Sequence, residues 1–289
     1  MLRKLFFVSL LSLLSLLSFA TGQSGDVIFI RGEEWQLLGA PIESNRELRE
    51  KLQAFLPENH TVSTGNWKGY TAYWRVESGT LYLEKITVEL YDREKKVGSR
   101  QIFDTHALQS LFADYYEEGK IKAGWVAYEI RLARGEMLYY LHSGYNRNYE
   151  EELFLQVEAG KIVGERLCKN TASQGLTLVE VCDSLRRSFP YEEFREQWGG
   201  QEPYFHLFGL KVTPEGRLKD IEIKCSFENK KQLKKASRPL KRAVRKFFED
   251  IYPWKVICLY GAYQAPIEHH SFTLSQPSYY RAPGTSKAR

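Results

Sequence analysis

Apolar and polar residues alternate over much of this chain, and the alternation predicts strands. Between Tyr204 and Leu210, Phe205, Leu207 and Gly209 alternate with His206, Phe208 and Leu210. Val212 follows, and a second run carries Leu218, Ile221 and Ile223. Thr213-Pro214-Glu215-Gly216 separates the two runs, and a Pro-Glu-Gly turn there predicts a hairpin. Three more hairpins are expected upstream. Tyr70 to Val76 and Leu81 to Leu90 join through Ser78-Gly79. Val126 to Leu132 and Met137 to His142 turn at Arg134-Gly135, and Leu153 to Val157 and Lys161 to Arg166 turn at Ala159-Gly160. Val27 to Ile30 opens the strand region.

Helical spacing predicts fewer elements. Leu48, Leu52, Phe55 and Leu56 share one face, with Asn45 as N-cap. Leu108, Leu111, Phe112 and Tyr115 suit a short helix capped by Asp104 or Thr105. Leu178, Val181, Cys182 and Leu185 line another, which Phe189-Pro190 ends. Leu233, Leu240, Val244, Phe247, Phe248 and Ile251 mark a longer helix, with Ser237 as cap and Pro239 in its first turn. The expected class is α+β. A β-rich antiparallel sheet or open barrel spans 26–166, a helical connector 169–200 and a small α+β module 201–275. Pro277 to Arg289 is expected to be disordered.

Composition sharpens this picture in two places. Aromatic residues make up 14% of 289, including 18 Tyr, which suits sheets with one wet face. The net charge of +5 is local: nine Lys/Arg and no acid lie from Lys230 to Lys246, and five minus nine leaves −4 elsewhere. Lys234, Lys241, Arg242, Arg245 and Lys246 would form a cationic stripe beside the apolar positions. Ordinary solvated faces mix both signs, so the stripe points to an anionic lipid, polysaccharide or acidic protein partner.

Met1 to Ala20 has the form of an export signal. Arg3 and Lys4 precede a Leu/Ser run from Phe6, and Ser18-Phe19-Ala20 supplies small residues before the cut. The run is marginal for a permanent anchor, which needs about 20 apolar residues. No later stretch is long enough to span a bilayer. A periplasmic, outer-envelope or secreted protein is expected, which makes nucleic acid a poor partner. Four cysteines in an exported chain permit disulfides; Cys168–Cys182 and Cys225–Cys258 are the expected pairs.

Candidate chemistry is sparse. Trp67, Tyr70 and Trp74 could form an aromatic platform on the first hairpin, although such blocks more often pack as core. His142, Tyr145, Tyr149 and Glu150 to Glu152 form a possible polar site, and a hydrolase acting on an envelope polymer there is the alternative function. His269 and His270 fall on opposite faces of a strand and do not easily share a metal. The chain has no His-Glu-x-x-His, no Gly-x-Ser-x-Gly and no phosphate-binding glycine loop. No metal or cofactor is expected.

Two resemblances extend the reading. Ser63 to Trp74, with Gly79 to Leu83, His142 to Tyr145 and Tyr149-Glu150, resembles a family of uncharacterised bacterial proteins. In that family a Trp-Arg-Gly-Tyr-like block precedes a Tyr-Leu hairpin; here Lys68 takes the Arg place. The resemblance covers about residues 26–166 and implies no activity. Lys211 to Leu218, Ile221 and Ile223, then the basic helix, Tyr252-Pro253-Trp254, Gly261, Phe272 and Leu274, resemble the C-terminal domain of TonB-like proteins. That likeness implies a strand pair, a helix, a Pro-rich turn and a final strand pair, with a habit of pairing strands with a partner. The long Pro-rich spacer of energy transducers is missing here. The expected role is non-enzymatic binding at the cell envelope.

Overall fold

A computed structural model describes residues 22–92, 95, 97–141, 143–198, 202–227 and 230–275. The segment read as an export signal, Gly199 to Gln201, His142 and the tail from Pro277 lie outside the described residues. The chain divides into two compact units, Met1–Lys169 and Asn170–Arg289.

In the first unit, alternation and glycine turns build one large sheet. β1 (Asp26–Ile30) and β2 (Glu33–Leu37) form a hairpin. α1 (Arg46–Phe55) follows, and the Asn45 side chain accepts from Leu48 N at 3.1 Å, the expected cap. β3 (Thr71–Glu77) and β4 (Thr80–Asp92) pair around Ser78 and Gly79, both at positive φ. β5 (Val97–Asp104) continues from β4, and Asp104 caps the short α2 (Thr105–Leu108). β6 (Tyr116–Glu117) and β7 (Lys120–Lys122) form a small hairpin. β8 (Glu129–Tyr140), β9 (Arg147–Glu158) and β10 (Lys161–Lys169) complete the set.

The neighbour order is β10-β9-β8-β2-β1-β3-β4-β7-β6, and β10 also pairs with β4 at Lys161 and Thr80. Leu81 N to Gly160 O and Ile162 N to Gly79 O, both 2.8 Å, flank that pair. The path from β4 round to β10 therefore returns on itself. β1 and β3 run parallel, so the sheet is mixed, not purely antiparallel as expected. Ile28, Trp74, Leu83, Ile86, Leu132 and Leu155 are among the side chains that fill its core.

The expected turn at Arg134-Gly135 is instead an irregularity inside β8, which pairs with β9 along its length. Gly135 has φ +83°, and Glu150 fills the space a Cβ there would need. The Glu150 carboxylate also accepts from Glu136 N at 2.9 Å. A Gly at positive φ serves a bulge as well as a turn, and the sequence alone does not separate the two. Gly160 is more constrained: at φ +79° its Cβ would meet the Ala123 carbonyl at 3.0 Å. Gly160→Ala is expected to cost about 1–3 kcal/mol, from left-handed strain and this approach at the closing pair. Urea unfolding of variant and parent measures it.

The second unit stacks helices on a small sheet. β11 (Thr171–Ala172) precedes α3 (Leu178–Ser188), which Thr177 and Glu180 close with a reciprocal capping box. α4 (Tyr191–Trp198) follows. β12 (Tyr204–Val212) and β13 (Leu218–Ser226) form the expected hairpin, with Gly216 at φ +80°. α5 (Lys230–Glu249) leads to β14 (Ile257–Leu259), β15 (Ala262–Gln264) and β16 (His270–Thr273). The sheets are β11-β14-β15 and β13-β12-β16. The stretch expected as a connector contributes α3, whose Leu178, Val181, Cys182 and Leu185 share a core with Phe205, Ile221 and Val244.

α5 runs straight through Pro239 instead of starting beside it. A proline inside a helix costs about 3 kcal/mol by losing one N–H and crowding the preceding turn. Burial on the apolar face of the following turns offsets that cost: Leu240, Val244 and Phe248 are fully buried. Phe247 and Ile251, expected inside, are only partly covered.

The expected disulfides are absent, and all four thiols are free. Cys225 lies on β13 opposite Phe205, whereas Cys258 lies on β14 in the other sheet, opposite Thr171 and Tyr263. The two strands are not neighbours, so they do not align the sulfurs. Cys168 belongs to β10 of the first unit and Cys182 to the core face of α3 in the second. Burial pushes the Cys182 thiol up to about 12 and the Cys225 thiol up to about 11. Thiolate is the reactive form, so both should resist alkylation in the folded state. Half-buried Cys168 and Cys258 should react first, with Cys182 and Cys225 following only on unfolding. Mass spectrometry of pulse-alkylated protein reads this directly; a native mass two hydrogens short per pair would contradict it.

Candidate functional site

The first unit brings two distant blocks of its sequence together. One is the loop from Ser63 to Tyr70; the other is the loop from Ser143 to Arg147 after β8. The segment Gly22 to Asp26 joins them. Gln23 N donates to Gly144 O at 2.7 Å, and Ser24 N donates to Gly65 O at 2.6 Å. The Gln23 side chain donates to Thr64 O at 2.7 Å and accepts from Trp67 N at 3.2 Å. Arg147 Nη2 donates to Gln23 O at 2.6 Å.

Beneath this junction lies a buried polar cluster. Asp26 is 1% exposed and Lys68 2%, and the Lys68 ammonium donates to Asp26 Oδ1. Asp26 also accepts from Ala72 N at 3.1 Å and, through Oδ2, from Trp74 Nε1 at 3.0 Å. The ammonium sits 4.8 Å from the centre of the Tyr70 ring. These contacts let a charged pair exist where neither ion would be tolerated alone.

Tyr70 Oη donates to Glu43 Oε1 at 2.7 Å. Burial, reinforced by the negative charges of Asp26 and Glu43, pushes the Tyr70 phenol well above its ordinary range. The same causes raise Tyr145. Both phenols are therefore hydrogen-bond donors at neutral pH and do not act as bases. Among the described residues, Tyr145 Oη and Glu43 Oε2 are buried and find no hydrogen-bond partner.

The proposed aromatic platform divides across this geometry. Alternation sends Tyr70 and Trp74 inward, where they are 1% and 0% exposed, while Trp67 on the loop is 51% exposed. Only Trp67 presents its ring to solvent, so a three-ring surface is not formed. Asp26, Glu43 and Gln23 were not singled out by sequence, because their partners are 27 to 124 positions away. The one usable signal was Lys68, a charge set among aromatic residues.

In the second unit, α5 carries the cationic positions. Arg242 and Lys246 are exposed, and Lys241 is half-buried. The Lys234 side chain lies outside the described residues. Arg245 turns back to the sheet: Nη2 donates to Ile221 O at 2.5 Å, and Nη1 is 3.9 Å from Asp220. Asp220 Oδ1 accepts from Ile221 N at 2.8 Å, so side chains occupy both backbone groups of Ile221. On the opposite strand of that sheet, Arg186 Nε donates to Thr273 O at 3.3 Å.

Among the described residues, no group of three His, Cys, Asp or Glu side chains is placed to hold a metal ion, and no helix is long and apolar enough to cross a membrane. Comparison with protein-family models, with curated proteins and with solved structures found no match.

Proposed function

We propose that this chain is an exported, non-enzymatic cell-envelope protein whose second unit is a TonB-like module that binds an anionic partner. The observation that carries the reading is the two-sided character of α5. Leu240, Val244 and Phe248 are buried against the rest of the unit, so Arg242 and Lys246 lie on its outer side, with half-buried Lys241 on the flank. No acid interrupts the basic run. The partner is an anionic lipid or polysaccharide, or an acidic face of an envelope protein.

The order of elements supports the TonB-like part. Hairpin β12–β13, helix α5, the Tyr252-Pro253-Trp254 turn, hairpin β14–β15 and strand β16 succeed one another. β16 returns beside β12, and Trp254 N donates to Gly216 O at 2.8 Å, which seats the Pro-containing turn on the first hairpin. Strand pairing is less favoured than the helix face as the route to a partner. Arg245 and Asp220 occupy the Ile221 backbone on β13, and Arg186 occupies Thr273 O on β16. Edge strands blunted in this way resist strand addition.

In the first unit the buried cluster fixes the junction of the two loops. Asp26 and Lys68 spend their charge on each other, which suits a scaffold role. The triple variant Lys241→Gln/Arg242→Gln/Lys246→Gln tests the binding reading. It should fold as the parent does and lose affinity for anionic vesicles or anionic polysaccharide.

A further inference from the structure

β4 carries an extra residue at Glu84. Tyr73 of β3 stands opposite Lys85 and Trp74 opposite Leu83, so Glu84 has no counterpart on β3. Such a bulge turns two consecutive side chains to one face, where a regular strand sends them to opposite faces. Leu83 and Ile86 point into the core, and Glu84 and Lys85 between them are both half-buried on the outer face. Glu84 O accepts from Thr105 Oγ1 at 2.8 Å, which ties the bulge to the residue after β5. Glu84 and Lys85 line a cavity of about 340 Å³, with walls from β3, β4, β7 and the end of β5. Small-molecule sites run from about 300 to 1,000 Å³. The charges in this cavity are unequally spent. Arg75 donates to Glu84, and Lys120 donates to Glu77. Lys85 and Asp104 stand directly opposite each other on β4 and β5, with Cβ atoms at the usual spacing of about 4.5–5.5 Å. They form no ion pair with each other or with any other described residue. Lys85 Nζ lies 4.5 Å from the centre of the Tyr73 ring, and Asp104 Oδ1 accepts from Ala107 N at 2.9 Å.

We propose that this cavity binds a free α-amino acid, its carboxylate on Lys85 and its ammonium on Asp104. One unspent cation beside one unspent carboxylate selects a ligand that carries both charges. Their places on neighbouring strands select charges held close together, as on a single α-carbon. The surrounding pairs, Arg75 with Glu84 and Lys120 with Glu77, cancel, so the cavity favours neither a simple anion nor a simple cation. Those pairs are also partly exposed, and exposed pairs hold together weakly enough to shift around a ligand. The bulge is what sets Lys85 beside Glu84, and bulges are over-represented next to functional sites, where they re-aim a side chain. The site lies wholly in the first unit and does not depend on the role of α5.

Titration calorimetry of the purified chain with glycine and L-leucine tests this. L-leucinamide keeps only the ammonium, and N-acetyl-L-leucine keeps only the carboxylate. L-leucine should bind the parent, and each single-charge relative should bind at least about tenfold more weakly, since each loses one charge-assisted contact. Lys85→Met keeps an unbranched stem over Tyr73, and Asp104→Asn keeps an oxygen for Ala107 N. Each should weaken L-leucine at least about tenfold. The ligand series uses the parent alone, so it decides the matter even where a variant fails to fold. Failure of both glycine and L-leucine to bind at millimolar concentration overturns the proposal. So does equal binding of L-leucine and its single-charge relatives, or a folded Lys85→Met or Asp104→Asn chain that binds as the parent does.

Discussion

Lys68→Ala is expected to lower the stability of the first unit by about 3–5 kcal/mol, the usual cost of leaving one buried ion without its partner. Asp26 is 1% exposed and would keep two neutral donors, Ala72 N and Trp74 Nε1, after the ammonium is gone. Neutral donors offset only part of the desolvation of a carboxylate. Adding Asp26→Asn to the variant removes the lone charge and should recover part of the loss. Full recovery is not expected, because an amide has one oxygen where the carboxylate uses two. Urea unfolding followed by Trp fluorescence measures each step. A loss under about 1 kcal/mol for Lys68→Ala would mean the pair is solvated in the folded state.

Phe248→Ala should destabilise the second unit by about 3–5 kcal/mol. Phe248 is 0% exposed and stands edge-on to Trp254, ring centres 5.9 Å apart. Its removal opens a void between α5 and the Pro-containing turn, and close-packed surroundings relax only partly into such a space. Arg242→Gln, on the exposed side of α5, should change stability by less than about 0.5 kcal/mol. The contrast between the two, measured by thermal and urea unfolding, separates the face that holds the fold from the face left for a partner. Equal effects would mean that α5 is oriented otherwise.

Local patterns were legible where one physical rule acts over a few residues. Asn45 and Asp104 cap helices, Ser78-Gly79 and Gly160 turn strands, and Leu240 and Val244 face inward. Gly135 was misread because a bulge and a turn demand the same backbone freedom. Pro239 was misread because proline by itself favours the first turn of a helix, whereas burial further along lets this helix run through it. The disulfides were misread because pairing depends on which strands become neighbours. Hairpin β14–β15 joins its own sheet, and no local rule says so. The closing β4–β10 pair and the Asp26 cluster were hidden for the same reason: each joins positions far apart in sequence. Lys68 showed itself only as a basic residue among aromatics.

The most direct test of the binding account is equilibrium binding of the purified chain to vesicles of anionic and of zwitterionic lipid, across a salt series. The parent should bind the anionic vesicles, and affinity should fall steadily as salt screens the contact. Each basic residue near such a surface contributes about 1 kcal/mol, so neutralising Lys241, Arg242 and Lys246 should cost roughly two orders of magnitude at low salt. Anionic polysaccharide in the same assay distinguishes the source of the negative charge. A triple variant that binds either anionic surface as tightly as the parent, at low and high salt alike, would contradict the account and leave α5 as a solvated face.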